Sequence, residues 1–374
     1  PTGALHEKRH SSDLQNALHH KETHVVMQYS PTVTVSLAEE FGLKAGKDIS
    51  GLMNAALRKT GFDKVFDASF GADLYICELA AEIEHRLRNN GVLPVFSSDC
   101  PAWIKFMEQW HPDIIPHVSV CKSPQQMLGA VITNYYTKTY HINPDNLYTV
   151  SAMPCTAKKF EAQREQMTHK GISDVDSVLT TRELAQFIKL NGIDLHQNES
   201  EHADFPFHVR SSAGKLMAVS GGLTEALIRT LHYRITGKEI GSYKINELRA
   251  NKEVKEYKVK IGEFKLGFAA VTTVKQAGQL IEEIKSGRND LHFIEVMACE
   301  GGCVGGGGQP IVKDIGAIKA RAKAIYDTDE KDPIRASHKN PAIVELYRDF
   351  LGEPFGENSA KLLHTSYKKR EVPL

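Results

Sequence analysis

The chain has 374 residues, 41% of them hydrophobic, with 46 Lys+Arg balanced by 46 Asp+Glu. That length supports either one large bilobal domain or two to three ordinary ones with substantial cores. The zero formal charge supplies no long-range field for nucleic acid or an anionic membrane.

No run approaches the roughly 18 apolar residues needed to cross a bilayer, and the opening PTGALHEKRHSSD lacks the apolar stretch of a signal peptide. A cytoplasmic location is therefore expected. In chain order, HVVMQY from His24 reads as a strand and ADLYICELAAEIEHRLRNN from Ala72 as a helix. LPVFSS from Leu93 and LYTVSAM from Leu147 are further strands, and TTRELAQFIKLNG from Thr180 is a helix with a Thr cap and a Gly stop. NGIDLHQNESEHADFPFH is polar and irregular, which predicts a surface excursion, and KLGFAAV from Lys265 and HFIEVM from His292 are again strand-like. From about Asp329 the sequence reads as polar turns and two helices packed on the main body. Such alternation predicts an α/β fold with largely parallel sheets.

The six cysteines are dispersed through a large chain, unlike the dense framework of a small secreted domain. Three of the strand-like runs end at one: LPVFSSDC at Cys100, LYTVSAMPC at Cys155 and HFIEVMAC at Cys299, with Cys303 just beyond. Ligands of open α/β sheets gather at the carboxyl ends of strands, so these four thiols are expected to meet in one crevice. Four cysteines can hold an iron–sulfur cluster, and the glycines of CEGGCVGGGGQ would let the backbone close around its sulfides. Buried apolar cysteines are the plainer alternative. Structural zinc is another, although only Cys299 and Cys303 show the short spacing usual in zinc ribbons. Cys77, inside a helical pattern, and Cys121, before KSPQQ, are expected to be packing residues.

Three separated motifs, SSDCPAW (97–103), MPCTAKKFE (153–161) and MACEGGCVGGGGQ (297–309), resemble those of the catalytic domain of the iron-only (FeFe) hydrogenases. KSPQQM, TTRELA and LLHTSY fit the same family, and PTGAL resembles the stretch after a ferredoxin motif. The resemblance implies a bilobal α/β fold with the metal cluster between two sheets flanked by helices. Its implied divisions are a remnant of an upstream ferredoxin-like domain at 1–5, a catalytic domain at 6–328 and a helical extension at 329–374. It also implies an H-cluster: a 4Fe-4S cubane joined to a di-iron subsite bearing carbon monoxide, cyanide and an azadithiolate, with further iron–sulfur clusters upstream. By motif, Cys100, Cys155, Cys299 and Cys303 would hold the cubane and Cys303 would bridge to the di-iron unit. Lys158 would hydrogen-bond a cyanide, a role for which a fixed cation suits an anionic acceptor. Pro31, Gln125, Met153, Met217 and Met297 would contact the cofactor. The implied activity is reversible conversion of dihydrogen to protons and electrons, with ferredoxin or another redox carrier and dedicated maturation proteins as partners.

The sequence also departs from the family. Asp99 stands where a second cysteine usually relays protons, a role a buried carboxylate can take. Ser119, Glu82 and Arg86 match the rest of the relay, and Arg86 shares a helix face with Glu82. Leu79, however, replaces the inner glutamate, and Met217 replaces an aromatic. The paired loss of Cys and Glu reads better as adaptation of a divergent subgroup than as a neutral change. The altered relay also keeps a slow hydrogen-sensing module in view, and the shared fold keeps a non-catalytic iron–sulfur scaffold in view.

Overall fold

The computed structural model describes Lys8, residues 10–311 and residues 315–372. The expected remnant at 1–5 lies outside the described residues. Two four-stranded sheets organise the chain. In the first, Lys64–Asp67, His24–Tyr29, Leu147–Met153 and Ser177–Thr180 lie side by side and all parallel. In the second, Val95–Phe96, Phe293–Val296 and Phe264–Val271 are parallel, and Val254–Ile261 adds an antiparallel edge. The inner strands are buried on both faces, which explains their nearly continuous apolar sequences. Val254–Ile261 instead alternates, with Glu256, Lys258 and Lys260 exposed, and charged residues on the outer side protect a sheet edge.

LPVFSS forms only the two-residue strand Val95–Phe96, because the chain turns away toward Ser98 and Cys100. TTRELAQFIKL forms the helix Thr181–Leu190, and Thr180 and Glu183 exchange hydrogen bonds in a capping box. The expected excursion after Asn191 is irregular apart from Leu195–Gln197, yet it is tied down. Asp204 accepts from the Val65 N–H (2.8 Å) and from Arg58 (2.9 Å), so this segment covers the edge of the first sheet.

A helix at Ser69–Arg88 runs through the centre, buried at positions 69–83. It packs on Pro124–Val131, Ser212–Leu216 and Gly222–Thr236, so its apolar side chains face inward all round. Each fully buried Leu, Ile or Phe there contributes about 1.5–3 kcal/mol. Its buried carboxylates are all satisfied, as burial demands. Asp73 accepts from Ser211 N (2.7 Å), Ser337 Oγ (2.7 Å) and Asn340 Nδ2 (2.9 Å). Glu78 accepts from Tyr347 Oη (2.6 Å) and Phe355 N (3.0 Å), with His364 Nε2 at 2.7 Å.

These two residues fasten the C-terminal segment, whose helix Pro341–Leu346 packs on the central helix and whose helix Glu357–Leu363 packs on Pro124–Val131. The expected division between 328 and 329 falls inside the helix Gly316–Lys331. There Asp329 is buried and accepts from Ser212 (2.7 Å) and Arg229 (2.8 Å), so the extension joins the preceding fold without a break. Among the described residues no helix is long and apolar enough to cross a membrane.

Replacing Glu78 with Ala would strand several buried donors at once. We expect a loss of about 3 kcal/mol or more in denaturant unfolding. A loss below about 0.5 kcal/mol would show that this anchor does not hold the C-terminal segment.

Candidate active site between the two sheets

The four expected cysteines line one cavity, and they reach it from the carboxyl ends of strands in both sheets. Cys155 follows Leu147–Met153 of the first sheet, whereas Cys100 and Cys299 follow Val95–Phe96 and Phe293–Val296 of the second. Cys100 caps the helix Pro101–Trp110, with Pro101 at its first position. Cys303 opens the short turn Cys303–Gly305.

Backbone N–H groups serve several of the sulfurs: Trp103 and Ala298 at Cys100, Ala157 and Lys158 at Cys155, and Gly307 at Cys299. Burial pushes the Cys100 thiol up to about 12 and raises the other three as well. Cys77 and Cys121 are buried away from this cavity, as expected of packing residues.

The cavity has a volume of about 100 Å³. Among the described residues no three His, Cys, Asp or Glu side chains approach closely enough to hold a single metal ion. Four thiols at one largely apolar cavity are the donor set that an iron–sulfur cluster uses. Two buried oxygens at the cavity, Asp99 Oδ1 and Gln125 Oε1, have no hydrogen-bond partner among the described residues, which leaves polar contacts open to an occupant.

The glycines of CEGGCVGGGGQ act through close approach. Gly302 has φ +97°, and a Cβ there would sit 2.6 Å from Ser220 N and 2.8 Å from Met297 Sδ. A Cβ on Gly306 would lie 2.4 Å from Pro154 O, while the Gly308 N–H donates to that same oxygen at 2.7 Å. The loop carrying Cys299 and Cys303 is thus pressed backbone to backbone on the residue before Cys155. Gln309, which had no expected role, accepts from Ser36 Oγ (2.6 Å) and Thr181 Oγ1 (2.7 Å) and anchors the end of the loop.

Pro31, Gln125, Met153, Met217 and Met297 all line the cavity and are buried. Lys158 does too, one helical turn from Cys155. Its Nζ donates to Asp99 O (2.9 Å) and to Glu161 Oε1 and Oε2 (3.1 and 3.0 Å). Burial disfavours this ammonium, but Glu161, together with Asp99 and Cys155, outweighs it and holds Lys158 above its usual range. Glu161, missed from sequence, accepts from Ser123 Oγ at 2.7 Å. Its signal was the i, i+3 spacing to Lys158 within MPCTAKKFE. Burial raises the Asp99 carboxyl, and Lys158 opposes the rise.

Glu82, Ser119 and Arg86 form a second cluster outside the cavity lining. Ser119 Oγ donates to Glu82 Oε2 (2.5 Å) and Arg86 Nη2 to Glu82 Oε1 (2.5 Å). Arg86 also reaches the carbonyls of Pro116 (3.0 Å) and Val118 (3.1 Å). Leu79 is fully buried, and among the described residues no hydrogen bond joins Asp99 to Glu82. The Cys121 thiol also donates to Glu82 Oε2, at 3.7 Å.

The loop contacts give a paired test. Gly306→Ala meets Pro154, whereas a Cβ at Gly307 would meet nothing within 4 Å. Gly306→Ala is expected to cost about 1–3 kcal/mol and to lower the iron retained after reconstitution, with Gly307→Ala close to the parent. Equal iron contents in the two variants would contradict the close-approach role.

Comparison with known proteins places this geometry. The family model for the iron only hydrogenase large subunit, C-terminal domain, matches residues 23–307, and that for the iron hydrogenase small subunit matches residues 314–370. The chain is 40% identical to iron hydrogenase 1 of Clostridium pasteurianum over 99% of its length and 65% of that protein's. It is 41% identical to the NADP-reducing hydrogenase subunit HndD of Solidesulfovibrio fructosivorans, covering 99% of the chain and 64% of the relative. The chain thus spans just under two thirds of these two relatives. It is also 32% identical to cytosolic iron-sulfur assembly component 3 of Bos taurus, over 92% of the chain and 74% of that protein. Among solved structures, an apo FeFe-hydrogenase from Chlamydomonas reinhardtii superposes with a TM-score of 0.85 at 35% identity, covering 96% of this chain and 99% of that one. Together with the parallel sheets and the four-cysteine cavity, these matches establish that the chain belongs to the iron-only (FeFe) hydrogenase family.

Proposed function

We propose that the chain is a hydrogenase module that interconverts dihydrogen with protons and electrons. The observation carrying this reading is Lys158, an ammonium only 11% exposed beside four convergent thiols on an otherwise largely apolar cavity. Glu161 fixes this cation at the cavity, where a cyanide-bearing di-iron unit would offer it a further anionic acceptor. Cys100, Cys155, Cys299 and Cys303 would hold the cubane, with Cys303 shared with the di-iron unit. When bound, that H-cluster supplies dihydrogen cleavage and a path for electrons.

The chain's own residues do the rest. Met153, Met217, Met297 and Pro31 exclude water from the cavity. Gln125 offers a buried carbonyl oxygen, and Glu161 holds Lys158 charged and aimed. Asp99 takes and returns the proton at its free Oδ1; beyond the apolar break at Leu79, Ser119 and Glu82 form an outer polar pair whose carboxylate Arg86 holds in place. Redox carriers of the ferredoxin type would exchange the electrons, and maturation proteins would install the di-iron unit.

The relatives named as iron-sulfur assembly components support a second, non-catalytic reading. The apolar break at Leu79 favours a third, slow hydrogen sensing. Isotope exchange separates the catalytic readings from the non-catalytic one. Anaerobically matured protein under deuterium gas in ordinary water is expected to release HD, and Asp99→Ala to slow that release about a hundredfold. No HD from protein with verified maturation would overturn the hydrogenase reading, and full exchange by Asp99→Ala would remove Asp99 from the relay.

A further inference from the structure

The strand Phe293–Val296, an inner strand of the second sheet, carries one carboxylate, Glu295, and it is fully buried. Such a group is costly unless hydrogen-bond donors surround it. Its donors among the described residues come from one short stretch. Gly221 N–H reaches Oε1 at 2.7 Å, and Thr224 N–H and Oγ1 both reach Oε2 at 2.8 Å. Burial raises this carboxyl, and the same donors together with Lys255 oppose the rise. Gly221 precedes the helix Gly222–Thr236 at φ +82°, where a Cβ would lie 2.3 Å from Leu248 O. That position must stay glycine, so it offers the helix no side-chain cap. Glu295 supplies the cap from a neighbouring strand, and its negative charge suits the helix N-terminus.

What the cap holds is the segment just before the helix, and that segment brackets Cys303. Ser220 N–H donates to Gly301 O and Val304 N–H donates to Ala218 O, both at 3.0 Å, so the chain on either side of Cys303 is tied to residues 218–220. Ser220 N and Val219 C are also atoms that a Cβ on Gly302 would strike, at 2.6 and 2.9 Å. Lys255 fastens the same segment from the antiparallel edge strand, its buried Nζ donating to Ser220 O at 2.6 Å. Burial lowers Lys255, and Glu295 and Glu225 oppose the fall. Cys299 follows the strand of Glu295. One strand therefore places both cysteines of CEGGC: Cys299 by direct connection, and Cys303 through Glu295 and residues 218–221.

We propose that Glu295, with Lys255, is a positioning residue for Cys303, setting its place relative to Cys299 and hence the seat of the cubane. Neither side chain donates to or accepts from a thiol; both act through the main chain of residues 218–221. The inference rests on the reading that the four cysteines hold a cubane. No dihydrogen step enters it, so it applies to a hydrogenase and to a scaffold alike. Residues that hold metal ligands from behind commonly change metal affinity by about ten- to a hundredfold when altered.

The test uses the full chain reconstituted with iron and sulfide to the cubane, without the di-iron unit. Glu295→Gln keeps the shape but sets an amide N–H against one of the donors it must accept from. It is expected to speed the loss of iron to a chelator on the order of tenfold and to alter the electron paramagnetic resonance spectrum of the reduced cubane. Lys255→Met frees Ser220 O and leaves the helix cap in place. It is expected to shift both readouts in the same direction, and it carries the test alone if Glu295→Gln does not fold. Denaturant unfolding of the same samples separates positioning from stability. A cap that serves only stability would lower the unfolding midpoint and leave the spectrum and the iron loss at parent values, and that result would overturn the proposal. A parent chain that assembles no cubane would overturn the cubane assignment and the inference with it. A parent cubane with unaltered variants would overturn the inference alone.

Discussion

The contact on which the rest depends is the approach of the 299–309 loop to Pro154 and Ser220. Two sheets each deliver cysteines at their carboxyl ends, and the thiols share one cavity only if loops from different lobes touch without side chains between them. Gly302 and Gly306 permit this, and Gly308 adds a hydrogen bond to Pro154 O. The cost is conformational: several glycines in sequence lose much freedom on folding. Gln309, held by Ser36 and Thr181, offsets part of it by fixing where the loop ends.

Once the loop is seated, polar groups are placed by charge pairing within apolar surroundings. Lys158 stays charged because Glu161 lies against it, and Glu161 is steadied by Ser123. The same logic runs along the central helix, where Asp73, Glu78 and Glu82 face three different segments of the chain. Two of the three hold structure and the third belongs to the polar cluster that leads outward. Leu79 lies between Glu78 and Glu82 in sequence but offers no polar atom, so the side chains of this helix give no polar path from the cavity to Glu82.

Much of this was legible in the sequence, for identifiable reasons. Leu147–Met153 and His24–Tyr29 stand out because strands buried on both faces are continuous apolar runs. Lys64–Asp67 is too short to show a period, and Val254–Ile261 carries three lysines that mask its alternation. The cysteines were found from their positions after strands, yet their meeting across two sheets, rather than at one, is a tertiary fact that spacing does not encode. Lys158 was found through family resemblance, while Glu161 beside it was passed over because a charged pair at i, i+3 is usually a solvated helix face. Gln309 was quoted in its motif without a role, since its partners Ser36 and Thr181 are distant in sequence.

The central claim is that this cavity holds a cyanide- and carbonyl-bearing di-iron unit beside Lys158, not a cubane alone. Infrared spectroscopy of anaerobically matured protein tests it most directly. The account predicts carbonyl and cyanide bands that shift on exposure to dihydrogen, with the cyanide bands altered in Lys158→Ala. A matured sample with an intact cubane and no such bands would contradict it and leave iron–sulfur scaffolding as the function to pursue.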